Sequence, residues 1–171
     1  GLPGKWKLAA QFAVAAGARL RHVKPHGTLY NAAARDPAVA EAIADAIRCV
    51  DPALILVGLA GSALPSAGRA AGLPVAEEAF ADRTYEDDGT LTSRTRPDAV
   101  ITDPELAARQ AVRIAREGLV RSRSGRDIRV RADTICIHGD LPGAPQRARQ
   151  LRQALEKAGV AVRGLRAGDL R

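Results

Sequence analysis

Residues 54–80 read LILVGLAGSALPSAGRAAGLPVAEEAF. Leu54–Val57 is a short run that is apolar at every position, the pattern of a strand buried on both faces. Ser62 to about Ala71 has helical spacing and stops at Gly72, a residue type that ends helices at no steric cost. Pro74–Phe80 is the next expected strand. Strand, helix and strand in alternation, with the strands apolar on both faces, argue for a mainly parallel sheet covered by helices.

The same rhythm extends in both directions. Upstream, Lys5–Ala16 is an expected Ala-rich helix closed by Gly17, and Leu20–Val23 a short strand. Asp36-Pro37 then supplies an N-cap and a proline at the first helical position for a helix to about Cys49, which Asp51-Pro52 stops. Downstream, Asp103-Pro104-Glu105 opens a helix to about Glu117, Thr134–Ile137 is another apolar strand, and Ala144–Ala158 is a helix closed by Gly159 ahead of Val160–Val162. Two segments break the rhythm. Ala81–Val100 is too long for a plain connection and is expected as a lid or binding loop. The basic run Arg121–Arg131 alternates arginine with Ile128 and Val130 after a Ser-Gly-Arg-Asp turn, as the solvated face of a small hairpin does.

The chain has 171 residues, so one α/β domain over residues 1–171 is expected. With 46% hydrophobic and 26% charged residues the composition is that of a folded globular chain, not a disordered one. No uninterrupted apolar run reaches the roughly 18 residues of a membrane span, so no membrane association is expected. Lys and Arg number 26 against 19 Asp and Glu, and the resulting +7 leaves a nucleic acid or an anionic small molecule open as partner. Aromatics are only 3% and none interleaves the arginine run, which argues against nucleic acid. Cys49 and Cys136 lie far apart with no zinc-ligand spacing, and two cysteines cannot staple a secreted scaffold, so a cytoplasmic location is expected. The start, Gly1-Leu2-Pro3-Gly4, has neither an initiator Met nor the order of regions of a signal peptide.

In parallel α/β proteins ligands meet the carboxyl ends of the strands. After Leu20–Val23 comes Lys24-Pro25-His26-Gly27-Thr28-Leu29-Tyr30-Asn31, with a cation, an imidazole, a hydroxyl and an amide in one short stretch. Pro25 and Gly27 are expected to fix a sharp turn around His26, a candidate general acid or base because imidazole titrates near neutrality. Lys24 is a candidate partner for a carboxylate or oxyanion. After Thr134–Ile137 comes His138-Gly139-Asp140, where Asp140 could orient an imidazole, accept a proton or ligate a cation. A turn-shaping histidine is the alternative for either His-Gly turn, and two such turns at equivalent strand ends favour chemistry. His22 lies within a strand and reads as structural. Asp82-Arg83 stands just beyond Pro74–Phe80, either as a local ion pair that pins the long loop or with Arg83 on substrate. Asp87-Asp88-Gly89 reads as a turn. Gly58-Leu59-Ala60-Gly61-Ser62 lacks the Lys-Ser/Thr pair of a phosphate loop.

Three separated motifs carry a resemblance: Lys24–Asn31; Glu78-Ala79-Phe80-Ala81-Asp82-Arg83-Thr84-Tyr85 with Asp88-Gly89-Thr90-Leu91 and Arg94; and Ile135–Asp140. In this order, across most of the chain, they resemble the LamB/YcsF family. That resemblance implies an irregular, parallel-stranded (β/α) barrel of the glycoside hydrolase/deacetylase type. It also implies the function of the A subunit of bacterial 5-oxoprolinase, the ATP-dependent opening of the lactam of 5-oxo-L-proline to L-glutamate together with subunits B and C. Family members begin with Asp-Leu-Asn-Cys-Asp, His-Ala-Gly-Asp and His-Pro-Ser type turns that do not occur in this sequence. The barrel is therefore expected to be incomplete, with exposed edges that favour association with another chain or as a homo-oligomer.

Opening a lactam requires an activated carbonyl, a delivered water and a proton for the leaving nitrogen. The expected catalytic residues are Lys24, His26, His138 and Asp140, with Asn31, Asp82, Arg83 and Arg94 on substrate and ATP as co-substrate. The competing expectations are a deacetylase-like amide hydrolase using a divalent metal on His26, His138 and Asp140, and a non-catalytic partner-binding piece of a larger assembly. Nucleic-acid binding by the arginine hairpin comes third.

Overall fold

In the computed structural model, which describes residues 11–140 and 142–170, helical residues 11–15 lead through Gly17, at φ 69°, toward a first strand. The remainder of the expected Lys5–Ala16 helix lies outside the described residues. Strand β1 (His22–Val23) pairs in parallel with β2 (Ile55–Leu59), His22 against Ile55 and Val23 against Leu56. The strand is shorter than the expected Leu20–Val23. Helix α1 (Gly27–Arg35) and helix α2 (Pro37–Val50) connect β1 to β2.

Helix α1 follows the expected turn directly and is an element that the sequence reading did not place. Pro25 and Gly27 do bend the chain, with Gly27 at φ 60°, but Thr28–Arg35 continues as helix and buries Tyr30 and Ala33. Helix α2 starts where its sequence indicates: Asp36 accepts from the backbone N–H of Ala38 at 2.9 Å and Pro37 fills the first helical position. Its buried residues Ala40, Ile43, Ala44 and Ile47 recur at i, i+3, i+4 and i+7, the stripe of a helix with one face on the core.

All five residues of β2 are buried. Helix α3 (Ala63–Ala70) returns over it to β3 (Val75–Phe80), also buried throughout. Gly68 makes that close approach possible, because a Cβ there would lie 2.6 Å from Leu56 Cδ2 and 2.8 Å from Val75 Cγ2. Val23, Ile43, Ile47, Leu56, Leu64 and Val75 share this core, while Ile55, Val57 and Ala76 pack with Leu165 and Leu170.

The described chain forms two compact units whose boundary falls inside β3. The first ends at Glu77 and takes up the chain again at Leu165; the second is Glu78–Gly164. In the second unit the end of β3 pairs in parallel with β6 (Thr134–Cys136), Phe80 against Cys136. Helix α4 (Pro104–Glu117) is capped by Asp103, which accepts from Glu105 N–H at 2.8 Å, and ends at Gly118 in the left-handed conformation. Helix α5 (Ala144–Lys157) buries Leu151 and Leu155 with Ala111 of α4. Val160 and Val162 pack against this cluster without forming a strand.

The basic run is the expected hairpin: β4 (Leu119–Arg121) and β5 (Asp127–Arg129) pair antiparallel around Gly125 at φ 85°. Arg121, Arg123 and Arg126 of the run face carboxylates of the same unit. Arg113 makes a two-point pair with Asp127 at 2.9 and 2.7 Å, and Arg121 joins it at 3.1 Å. Hydrogen bonds from Arg113 and Arg121 hold the Asp127 carboxyl at about 2. Arg123 bonds Asp98 at 2.7 Å, and Arg126 lies 3.5 Å from Asp87. Among the described residues no helix is long and apolar enough to cross a membrane.

Candidate functional site

At the end of β1 the first unit carries Lys24, His26 and Asn31. His26 occupies the N-cap of α1 with extended backbone angles and no side-chain cap bond, and its imidazole is exposed. Lys24 Nζ lies 5.6 Å from the ring centroid of the buried Tyr30, a cation–π contact. Asn31 is exposed on α1, and His22 is exposed on β1. One further feature of this unit escaped sequence reasoning. Glu77 accepts from Gly61 N–H at 2.9 Å and pairs with Arg69, which fixes the loop between β2 and α3.

The second unit brings its predicted residues together. Asp82, fully buried, accepts the backbone N–H of His138 at 2.8 Å and faces His138 Nδ1 at 2.9 and 3.1 Å. The imidazole stacks on Phe80, ring centroids 5.6 Å apart and planes 21° from parallel. Burial pushes the Asp82 carboxyl up, but the ring and backbone hydrogen bonds of His138 outweigh it and hold Asp82 below the ordinary carboxylate value. An ionised carboxylate only accepts, so Nδ1 carries a proton toward Asp82 and Nε2 is the ring nitrogen left outside this pair. The His138 side chain is 24% exposed while that of Asp82 is 0%, which leaves a reactive edge on a buried support. Sequence reasoning placed Asp82 on substrate and left Asp140 to orient an imidazole, accept a proton or ligate a cation. The geometry gives the orienting role to Asp82.

Asp140 instead meets Arg94 at 3.1 Å on the surface, and that guanidinium holds the Asp140 carboxyl below its ordinary value. Arg83 is buried; its Nε donates to Ala99 O at 3.0 Å and its Nη2 to Thr92 O, so it braces the long loop. Burial lowers the Arg83 pKa, and the charge of Arg94 pushes in the same direction. Tyr85, also fully buried, accepts Phe80 N–H at 2.7 Å, and burial pushes its hydroxyl well above the ordinary value.

Among the described residues no group of three His, Cys, Asp or Glu side chains gathers around one point. In the second unit His138 Nδ1 is bonded to Asp82 and the Asp140 carboxylate to Arg94. The described donor set does not by itself make a divalent-metal site.

The described residues thus form a parallel α/β scaffold with an aspartate-backed imidazole just beyond a strand end. The LamB/YcsF family model matches residues 6–169, and the chain belongs to that family. It is 52% identical over 160 residues to a protein of Shouchella clausii strain KSM-K16 named as the A subunit of 5-oxoprolinase, covering 92% of this chain and 63% of the relative. A protein of Methylococcus capsulatus strain Bath with the same name is 55% identical over 156 residues, covering 91% and 60%. The crystal structure of the lactam utilization protein from Thermus thermophilus superposes with a TM-score of 0.82 at 50% identity, covering 91% of this chain and 62% of that one. The likeness bears out the parallel-stranded α/β class. The chain spans less than two thirds of the length of each of these relatives.

Proposed function

We propose that this chain performs the lactam-opening role of the 5-oxoprolinase A subunit, the hydrolysis of 5-oxo-L-proline to L-glutamate. The Asp82–His138 pair is the observation that carries the reading, and the names of the relatives supply the substrate. His138 Nε2 takes a proton from water as its oxygen adds to the lactam carbonyl carbon. The C–N bond then breaks and the proton passes to the leaving nitrogen, so that water is consumed and one amine and one carboxylate form. Asp82 holds the ring in the required tautomer and stabilises the imidazolium that forms in between, as the buried carboxylate of a hydrolytic triad does.

In this proposal Arg94, half-exposed beside Asp140, receives the substrate carboxylate, and Arg83 supports the site through the loop it braces. In the first unit, Lys24 and Asn31 are assigned to binding and His26 to proton handling, each on its residue chemistry. ATP is the co-substrate: transfer of its γ-phosphoryl group to the lactam oxygen would activate the carbonyl and release ADP, and a second water would release the phosphate after ring opening; subunits B and C are the partners, in the cytoplasm. The experiment is ATP-dependent glutamate release from 5-oxo-L-proline by this chain mixed with subunits B and C, each component omitted in turn. Release that stops when this chain is left out supports the role. Release that continues without it overturns the role.

A further inference from the structure

We infer that Gln110 of α4 is a positioning residue for the Asp82–His138 pair, an inference that rests on the acid–base role proposed for His138. The Gln110 amide nitrogen donates to Phe80 O at 2.9 Å, Ala81 O at 3.1 Å and Arg83 O at 2.8 Å. These carbonyls flank Asp82 on both sides. Three acceptors around one atom fix the amide orientation, since the amide oxygen in that place would face three carbonyl oxygens. With two protons for three acceptors, one hydrogen bond is shared.

The other backbone groups of the turn are committed to partners elsewhere. Phe80 N–H donates to Tyr85 Oη, Ala81 N–H to Cys136 O at 2.9 Å, and Ile101 N–H to Asp82 O at 2.9 Å. The carbonyls of Phe80, Ala81 and Arg83 converge on the Gln110 side chain. Without that donor they lose a common anchor in a part-buried place, where unpaired carbonyls turn toward any donor within reach. Rotating these peptide planes re-aims the Asp82 carboxylate, whose distances to His138 Nδ1 are 2.9 and 3.1 Å. Gln110 touches neither imidazole nor carboxylate among its hydrogen bonds, so its effect passes through the backbone.

The test compares Gln110→Met, equal in length but without a donor, with Gln110→Glu, whose ionised carboxylate faces the three carbonyls. Solvent exchange of the His138 Nδ1 proton is read by NMR of histidine-labelled protein, and turnover is read with subunits B and C. Gln110→Met is expected to speed that exchange about 10-fold and to lower kcat about 10-fold, with the KM for 5-oxo-L-proline unchanged. Gln110→Glu is expected to do more of both. A lower melting temperature with wild-type proton exchange and wild-type kcat would show a structural role only and overturn the inference. If Gln110→Met does not fold, Gln110→Asn, one methylene short of the carbonyls, reads the same quantities. Faster exchange in the variants with no turnover even in wild type would sink the proposed function and keep the positioning role. Turnover in wild type with unchanged exchange in the variants would overturn the positioning role alone.

Discussion

His26-Gly27 and His138-Gly139 are the same dipeptide, each following a short strand that is parallel to its neighbour, yet the two imidazoles have different surroundings. His138 donates its backbone N–H to a fully buried aspartate, faces the same carboxylate through Nδ1 and stacks on Phe80. His26 caps α1 with its backbone alone and leaves its ring exposed. Position at a strand end therefore does not by itself give a histidine ring a partner, and for His138 that partner comes from a distant stretch of chain.

The largest effect expected from this contrast is on turnover. Asp82→Asn, which keeps the shape but removes the charge, should lower kcat about 100-fold or more. His26→Ala should cost less than Asp82→Asn in the same assay, and equal losses would break the comparison. On stability, Asp82→Ala leaves the His138 N–H groups without their acceptor and should cost about 1–3 kcal/mol in urea unfolding, against about 0.5 kcal/mol or less for exposed His26→Ala.

Acidification sharpens the contrast further. The Asp82 carboxyl lies below its ordinary value of 3.8, so its contribution to stability is full above that pH and is lost as pH falls from 3.8 through the lower native value. The wild-type melting temperature should therefore fall more steeply than that of Asp82→Asn across this window, and parallel curves would contradict the pairing. Arg94→Ala should also cost little stability, because its ion pair with Asp140 is exposed on both sides and is worth about 0–1 kcal/mol. Its expected signature is instead a raised KM for 5-oxo-L-proline.

Much of the frame was legible in the chain. Asp36-Pro37 and Asp103-Pro104 start helices because each aspartate caps and each proline fills a position that needs no donor. The strand–helix–strand rhythm around residues 54–80 followed from apolar runs punctuated by glycine. Helix α1 was not legible: it has no acidic residue in its first turn and no side-chain cap, and Pro25 and Gly27 read as a turn. Both histidine turns were visible as candidates, but Asp82 and His138 are 56 residues apart and only the pairing of β3 with β6 brings them together. The bracing by Gln110 was equally hidden, since a glutamine on an amphipathic helix carries no sign of which carbonyls it meets.

The most direct test of the central claim sets wild type beside His138→Asn in ATP-dependent glutamate release from 5-oxo-L-proline with subunits B and C, at matched folded concentration. The account predicts release by the wild-type chain and a rate lower by about 100-fold or more in His138→Asn. Release by His138→Asn at the wild-type rate would contradict it.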